Sequence, residues 1–195
     1  MKKSFSLYAF LILISFAVIS CGQKVTRVSE DTVTDLSGRW NDTDSRLTAE
    51  EITSEMMAHP WYNTYISQNG GEVPVLIVGM ITNKSHEHIA TETFSKDIEK
   101  AVINSSRMRL VQAGAMREEI RAERADQQNY SSASSMKSFG LEQGADFMLQ
   151  GTINSIVDQY KKDKAIYYQV DLELTNLETN EKVWIGDKKI KKLVN

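Results

Sequence analysis

The chain has 195 residues, of which 41% are hydrophobic and 25% charged, with a formal net charge of −3. This length suits one domain with accessory segments, and the composition excludes collagen-like, disulfide-rich and wholly disordered proteins. The acidic charge argues against a nucleic-acid partner, because domains that bind nucleic acid are usually basic. A single cysteine excludes an internal disulfide and a cysteine-based zinc cluster.

The N-terminus has the pattern of a secretion signal. Two lysines precede an apolar stretch from Leu7 to Ile19, which is shorter than the roughly 20 residues that cross a bilayer. The stretch ends in the letters VISCG at residues 18–22, which resemble a bacterial lipobox. We therefore expect residues 1–20 to be a lipoprotein signal peptide and Cys21 to be the lipidated mature N-terminus. The alternative is an ordinary secretory peptide that happens to contain a cysteine.

The residue after the lipobox cysteine bears on localisation. It is Gly22, whereas an aspartate there would resemble the inner-membrane retention signal of enterobacteria. We expect the outer membrane, with a domain that faces the periplasm.

A polar tether precedes the globular part of the chain. Residues 22–47 are rich in Thr, Ser and Asp and lack a helical period, so residues 21–47 are interpreted as the lipidated N-terminus and a short tether. Thr48, followed three residues later by Glu51, fits a capping box and predicts a helix over 49–58. The globular domain is placed at 48–195. A cluster of large apolar side chains after this helix is expected to pack on the core, the alternative being an exposed partner patch: Trp61, Tyr62, Tyr65 and Ile66.

The middle of the chain predicts a strand–helix–strand unit. Residues 73–81 are nearly all apolar and rich in Val and Ile, as in a strand that is buried on both faces. Phe94, Ile98 and Val102 mark one face of a helix. A second short strand at 108–112 would pair in parallel with the first through a right-handed crossover.

The remainder predicts a polar helix over 115–127, a serine-rich loop over 127–135, a short helix around Phe139 and Leu141, and then strands. The strands are expected at 147–157, 168–175 and 182–191, where apolar and polar residues alternate. Short turns between them indicate an antiparallel meander. The predicted fold is α/β (α+β): a single small domain with a mixed sheet, a βαβ unit, a C-terminal antiparallel meander and helices packed on the sheet.

Motifs for catalysis are missing from the sequence. It contains no phosphate-binding glycine loop, nucleophile elbow or H-E-x-x-H pattern. His86 and His88 would lie on one side of a strand, but a third metal ligand is not evident. Asp42 and Asp44 resemble the start of a calcium loop that lacks its glycine and glutamate. We expect no catalytic residue, metal, cofactor or small-molecule substrate.

A basic run near the C-terminus stands out in an acidic protein. It comprises Lys188, Lys189, Lys191 and Lys192 around Ile190. Lysines on an edge strand discourage aggregation, which is the structural interpretation. The functional interpretation is a docking surface for an acidic partner or an anionic membrane.

Several segments resemble the LpoB-like lipoproteins, a family of penicillin-binding-protein activators. The resemblance covers about residues 36–195, and its most specific segment is the LSGRWNDTDS stretch at 36–45. Supporting segments are PVLIVG at 74–79, GAD at 144–146 and WIGDKKIKK at 184–192. Together with the lipobox, these segments identify the chain as similar to that family.

The resemblance implies an outer-membrane lipoprotein with a domain similar to the N-terminal domain of TolB. Family members bind and stimulate a class A penicillin-binding protein and carry no catalytic residues of their own. The tether here is shorter than in known members. Candidate partner-binding residues are Arg39, Trp40, Asp42, Lys188, Lys189 and Lys191. The alternative function is an envelope adaptor or assembly lipoprotein with a different protein partner.

Overall fold

Four helices and five strands lie in the part of the chain that the computed structural model describes, which is residues 25–29, 32–132, 134 and 141–194. The helices are α1 Asp42–Ala58, α2 Pro60–Gln68, α3 Thr91–Ser105 and α4 Gly114–Tyr130. The strands are β1 Val75–Lys84, β2 Arg109–Leu110, β3 Phe147–Tyr160, β4 Asp163–Asn176 and β5 Lys182–Val194.

The five strands form one mixed sheet in the order β2-β1-β3-β4-β5. β1 pairs in parallel with both β2 and β3, while β3, β4 and β5 pair antiparallel. This confirms the predicted mixed α/β fold, with its strand–helix–strand unit and C-terminal meander. The first four residues of β1, Val75 to Val78, are all buried, as expected for a strand inside a parallel unit.

The core lies between one face of the sheet and helices α1, α2 and α3. Alternate residues of β4 point into it and are at most 1% exposed: Ile166, Tyr168, Val170, Leu172 and Leu174. The predicted stripe on α3, Phe94, Ile98 and Val102, is fully buried against them. Trp61 and Tyr62 of α2 are also buried, and the indole N–H of Trp61 donates to the Met56 carbonyl at 2.8 Å. The core interpretation of that cluster is therefore confirmed for these two residues.

The first helix begins earlier than the sequence predicts. Its N-cap is Asn41, whose side chain accepts from the Asp44 amide at 3.1 Å, while Asp44 Oδ2 accepts from the Asn41 amide at 3.0 Å. The predicted capping box at Thr48 and Glu51 is wrong, because Thr48 lies inside the helix and is 1% exposed. The reciprocal Asn–Asp pair satisfies two end amides at once and thus sets the start.

Helix α4 differs from the other three in having no buried residue. It confirms the predicted polar helix but continues to Tyr130, so the loop expected from Gln127 begins later. Of the predicted short helix around Phe139 and Leu141, Phe139 falls outside the described residues, whereas Leu141 is described, is not helical and is exposed. None of the described helices combines the length and the apolarity that a membrane crossing requires.

The pairing of β3 with β4 leaves no room for a side chain at one glycine position. A Cβ atom on Gly151 would overlap the backbone carbonyl of Asp171 and the side chain of Leu172, whereas a Cβ on Gly144 would meet nothing. We expect Gly151→Ala to lower the free energy of unfolding by about 1–3 kcal/mol, because backbone cannot yield as a side chain can. Urea denaturation measures this, with Gly144→Ala as the control. Equal stability of the two variants would contradict the packing described.

Candidate functional site

The segment ahead of α1, residues 33–41, packs on the domain and is called here the leading segment. Gly38 adopts a left-handed φ of +67° and lies so close to Val194 that a Cβ atom would overlap its side chain. Ile166 also lies beside this glycine. The leading segment therefore rests against the C-terminal end of β5, at the edge of the sheet.

A buried lysine holds the leading segment in place. Lys192 is 8% exposed, and its ammonium group lies 2.5 Å from Asp35 Oδ1 and 2.6 Å from Asp44 Oδ2. It also donates to the Arg39 carbonyl at 3.1 Å. Burial lowers the pKa of Lys192, but the hydrogen bonds to the two carboxylates outweigh it, so this pKa lies above its ordinary value. The hydrogen bond from Lys192 also lowers the pKa of Asp35. We call these three charged groups the Lys192 clasp.

A second attachment is made through Glu87, in the loop after β1. Its Oε1 accepts from the Trp40 amide at 2.8 Å and from the Tyr168 hydroxyl at 2.6 Å. Burial and the neighbouring Glu87 carboxylate raise the pKa of Tyr168. The Trp40 ring meets Phe94 and Tyr168 edge-on, with centroids 6.0 and 5.7 Å away. Trp40 is therefore partly buried and joins the leading segment to the core.

The predicted partner-binding residues lie at two places on the surface. Near the leading segment, the Arg39 side chain is 76% exposed, 3.9 Å from Glu87, and Asp42 is exposed at the first residue of α1. The predicted lysines lie along edge strand β5. Lys188 faces the helices and pairs with Glu51 of α1, whereas Lys189 and Lys191 point to the opposite face of the sheet.

The face of β3, β4 and β5 opposite the helices carries a polar network. The Asn154 amide donates to Thr152 Oγ1 and to Asp171 Oδ2, both at 3.0 Å. Gln169 donates to Asp171 at 2.6 Å and accepts from the Tyr167 hydroxyl at 3.0 Å. These side chains satisfy one another, so the middle of this open face is ordered and polar.

The histidines do not assemble a metal centre. His86 Nδ1 lies 2.7 Å from Ser155 Oγ, and its ring stacks on Tyr168 at 6.1 Å, while His88 is exposed. Among the described residues, no group of three or more His, Cys, Asp or Glu side chains is placed to hold a metal ion. Cys21 lies outside the described residues.

Sequence reasoning overlooked the role of Lys192, which it treated as one member of a surface run. The strand alternation contained a signal, because Lys192 has the same parity as Trp184 and Ile190, and these two pack on or within the core. The role of Asp44 was also overlooked, since it resembled half of an incomplete calcium loop. Its carboxylate instead caps α1 and binds Lys192.

Most of the chain matches one known protein family. The family model described as "Peptidoglycan-synthase activator LpoB" matches residues 44–190. Among solved structures, the chain is similar to the LpoB C-terminal domain from Salmonella enterica, with 15% identity, a TM-score of 0.44, and coverage of 76% of this chain and 99% of that one. The NMR structure of Escherichia coli LpoB matches at 13% identity and a TM-score of 0.42, covering 90% and 84%.

Lipoprotein GNA1162 from Neisseria meningitidis also matches, at 14% identity and a TM-score of 0.37, covering 62% of this chain and 83% of that one. No curated protein sequence matches the chain.

The clasp predicts a large effect for a conservative change. Lys192→Met keeps the aliphatic stem but leaves Asp44 buried without its cation. We expect the free energy of unfolding at pH 7 to fall by about 3 kcal/mol, the range seen when one partner of a buried pair is removed. Urea denaturation measures it, and Lys191→Met, on the exposed face of the same strand, should change stability by less than about 0.5 kcal/mol.

The same pair of proteins tests the clasp through pH. The lowered pKa of Asp35 means that its contribution is present above the ordinary value of 3.8 and is lost as the pH falls below it. The raised pKa of Lys192 means that its contribution is complete below 10.5 and is lost at higher pH. The stability difference between wild type and Lys192→Met should therefore shrink at both extremes. A difference that stays constant into acid would contradict the Asp35–Lys192 contact.

Proposed function

Because the chain belongs to the LpoB family of peptidoglycan-synthase activators, we propose that it binds and stimulates a class A, bifunctional penicillin-binding protein without catalysing a reaction itself. The observation that carries the proposal is the extent of the family match. It runs from residue 44, in the first turn of α1, to residue 190 in β5, and so includes all or most of every described helix and strand.

Activation by contact needs only a difference in affinity. A protein that binds the active conformation of a synthase more tightly than the inactive one shifts the population toward activity. To convert a mostly inactive synthase into a mostly active one, this preference must be about 10⁴-fold, or about 5.5 kcal/mol. The binding surface therefore has to distinguish the two conformations, because a surface with equal affinity for both shifts nothing.

We assign the contact to the six residues that the sequence marks. Arg39 and Asp42 flank Trp40, whose packing on Phe94 and Tyr168 fixes the leading segment beneath them. Lys188, Lys189 and Lys191 add positive charge along β5. Charged groups on a rigid surface contribute mainly to partner choice and to the rate of association.

The anchor is proposed to be a lipid on Cys21 in the outer membrane, with the domain in the periplasm. Because Asp35 is held in the Lys192 clasp, the covalent link between domain and lipid is residues 22–34. Fully extended, this link spans at most about 45 Å, and as a flexible coil about 20 Å. The length of this link limits how far from the membrane the domain can bind the synthase.

The proposal is tested with purified residues 22–195 and each class A penicillin-binding protein of the same organism. Glycan polymerisation from lipid II is followed while the domain is titrated. We expect saturable stimulation of one synthase. Arg39→Glu or the pair Lys189→Glu/Lys191→Glu should raise the half-maximal concentration about ten-fold, equivalent to about 1.4 kcal/mol.

A matched control is available on α3, where Lys96 and Lys100 are exposed on the helical side of the domain. Lys96→Glu/Lys100→Glu changes the net charge by the same amount and should leave stimulation unchanged. Equal losses in both charge-reversed pairs would show a general electrostatic effect instead of a docking surface. Stimulation of no synthase would contradict the activator function and favour the adaptor alternative.

The link predicts a length dependence in cells. Deleting residues 25–32 should reduce activation of an inner-membrane synthase, whereas a Gly/Ser insert between Val28 and Ser29 should preserve or increase it, because reach scales with link length. Cell-wall synthesis is measured against a Cys21→Ala variant, which removes the lipid. If cell-wall synthesis did not change with the length of the link, the partner would lie near the outer membrane.

A further inference from the structure

The β3–β4 hairpin extends beyond the region that the helices cover. Its tip and the adjoining end of β5, residues 156–165 with 193–194, form what we call the hairpin end. Ile156, Tyr160 and Leu193 there are 65%, 72% and 71% exposed. Exposed large apolar side chains of this kind, when grouped, mark an interaction site.

These three side chains share one face of the sheet. In the strand register, Ile156 lies opposite Tyr167, Leu193 lies opposite Ala165, and Tyr160 closes the hairpin opposite Asp163. Residues of the same parity point to the same side of a sheet, so this side is the open face. The polar network of Asn154, Gln169 and Asp171 lies farther along that face, beyond these three exposed apolar side chains.

The hairpin end also carries positive charge. Lys161 and Lys162 are exposed in the turn, and the Lys161 ammonium lies 5.4 Å from the Tyr160 ring centroid. Lys164 follows, half-buried, on the face of β4 that carries Ile166. Asp158 and Asp163 lie on the open face of the same hairpin, and the three lysines exceed these two carboxylates by one charge. Surfaces that bind at a membrane interface typically combine tyrosine, aliphatic side chains and lysines.

The position of the leading segment places this patch near the anchor. Gly38 lies beside Val194 and Ile166, and Val194 pairs with Lys164 at the base of the hairpin turn. The link to Cys21 therefore joins the domain at the same end as the hairpin. The β4–β5 turn lies at the other end of β4, about 45 Å away for a strand of this length.

We propose that the hairpin end docks on an anionic lipid surface, that of the membrane which holds the Cys21 lipid. The proposal rests on the lipid anchor of the proposed function. Short attachment raises the effective concentration of the patch at the bilayer, so a weak contact is enough. Docking would orient the domain with its β4–β5 turn directed away from the membrane.

The test uses residues 22–195, which retain every described core residue and lack Cys21, the only cysteine in the chain. An environment-sensitive fluorophore is placed on Gln159→Cys in the hairpin or on Glu178→Cys in the opposite turn. Vesicles of phosphatidylethanolamine with phosphatidylglycerol should raise and blue-shift the hairpin signal only. Vesicles of phosphatidylcholine should give little change, and added salt should weaken the response.

Two variants with matched controls separate charge from apolar contact. Lys161→Glu/Lys162→Glu should weaken binding by more than about 25-fold, since each surface lysine accounts for about five-fold. Lys96→Glu/Lys100→Glu is its control. Ile156→Ser should weaken binding several-fold, while Ile185→Ser, on the same face and also 65% exposed but remote from the hairpin, should not.

The proposal is overturned if the hairpin label does not respond to anionic vesicles, if neutral vesicles bind equally well, or if the variants match their controls. No synthase is present, so a negative result leaves the proposed activation standing. Conversely, the hairpin variants should still stimulate the synthase in vesicle-free solution, and a domain that stimulates none would leave lipid docking standing.

Discussion

A buried cation organises this domain. Lys192 is buried near the end of the last strand. Burying its ammonium group there without a partner would cost several kcal/mol of folding free energy. Its carboxylate partners come from the opposite end of the domain sequence, Asp35 ahead of α1 and Asp44 in its first turn. Because Asp44 also caps α1, one set of contacts joins the leading segment, the first helix and the edge strand. The first turn of α1 and the point where the leading segment joins the domain both lie within this set of contacts.

The clasp has consequences for an activator of peptidoglycan synthesis. By holding the chain from Asp35 onward, it converts a segment that composition assigns to the tether into rigid surface, and it presents Arg39 on that surface. It also fixes the place where the chain ahead of Asp35 joins the domain, which is the end that carries Val194. The domain thus has two differently built regions: a charged edge, to which we assign the protein partner, and a lysine-bearing tip with exposed apolar side chains, which we propose docks on lipid.

Most of the sheet could be predicted because burial alone determines its pattern. Tyr168 and its alternate neighbours in β4 all face one core, so period-two alternation is unambiguous. The start of α1 was predicted wrongly because two local patterns compete: Thr48 and Glu51 imitate a capping box, whereas the actual one is the Asn41–Asp44 pair seven residues earlier. The clasp itself was hidden for a related reason. A lysine in a basic run normally lies in water, and only the three-dimensional arrangement shows that Asp35 and Asp44 converge on it.

Native-state hydrogen exchange of the Trp40 amide tests the clasped leading segment most directly. This amide donates to Glu87 at 2.8 Å, next to the Lys192 clasp. If the segment is part of the folded domain, the amide should exchange as slowly as core amides of β4 and become faster in Lys192→Met. Exchange at the rate of an unstructured peptide in the wild-type protein would contradict the account, because the leading segment would then belong to the tether.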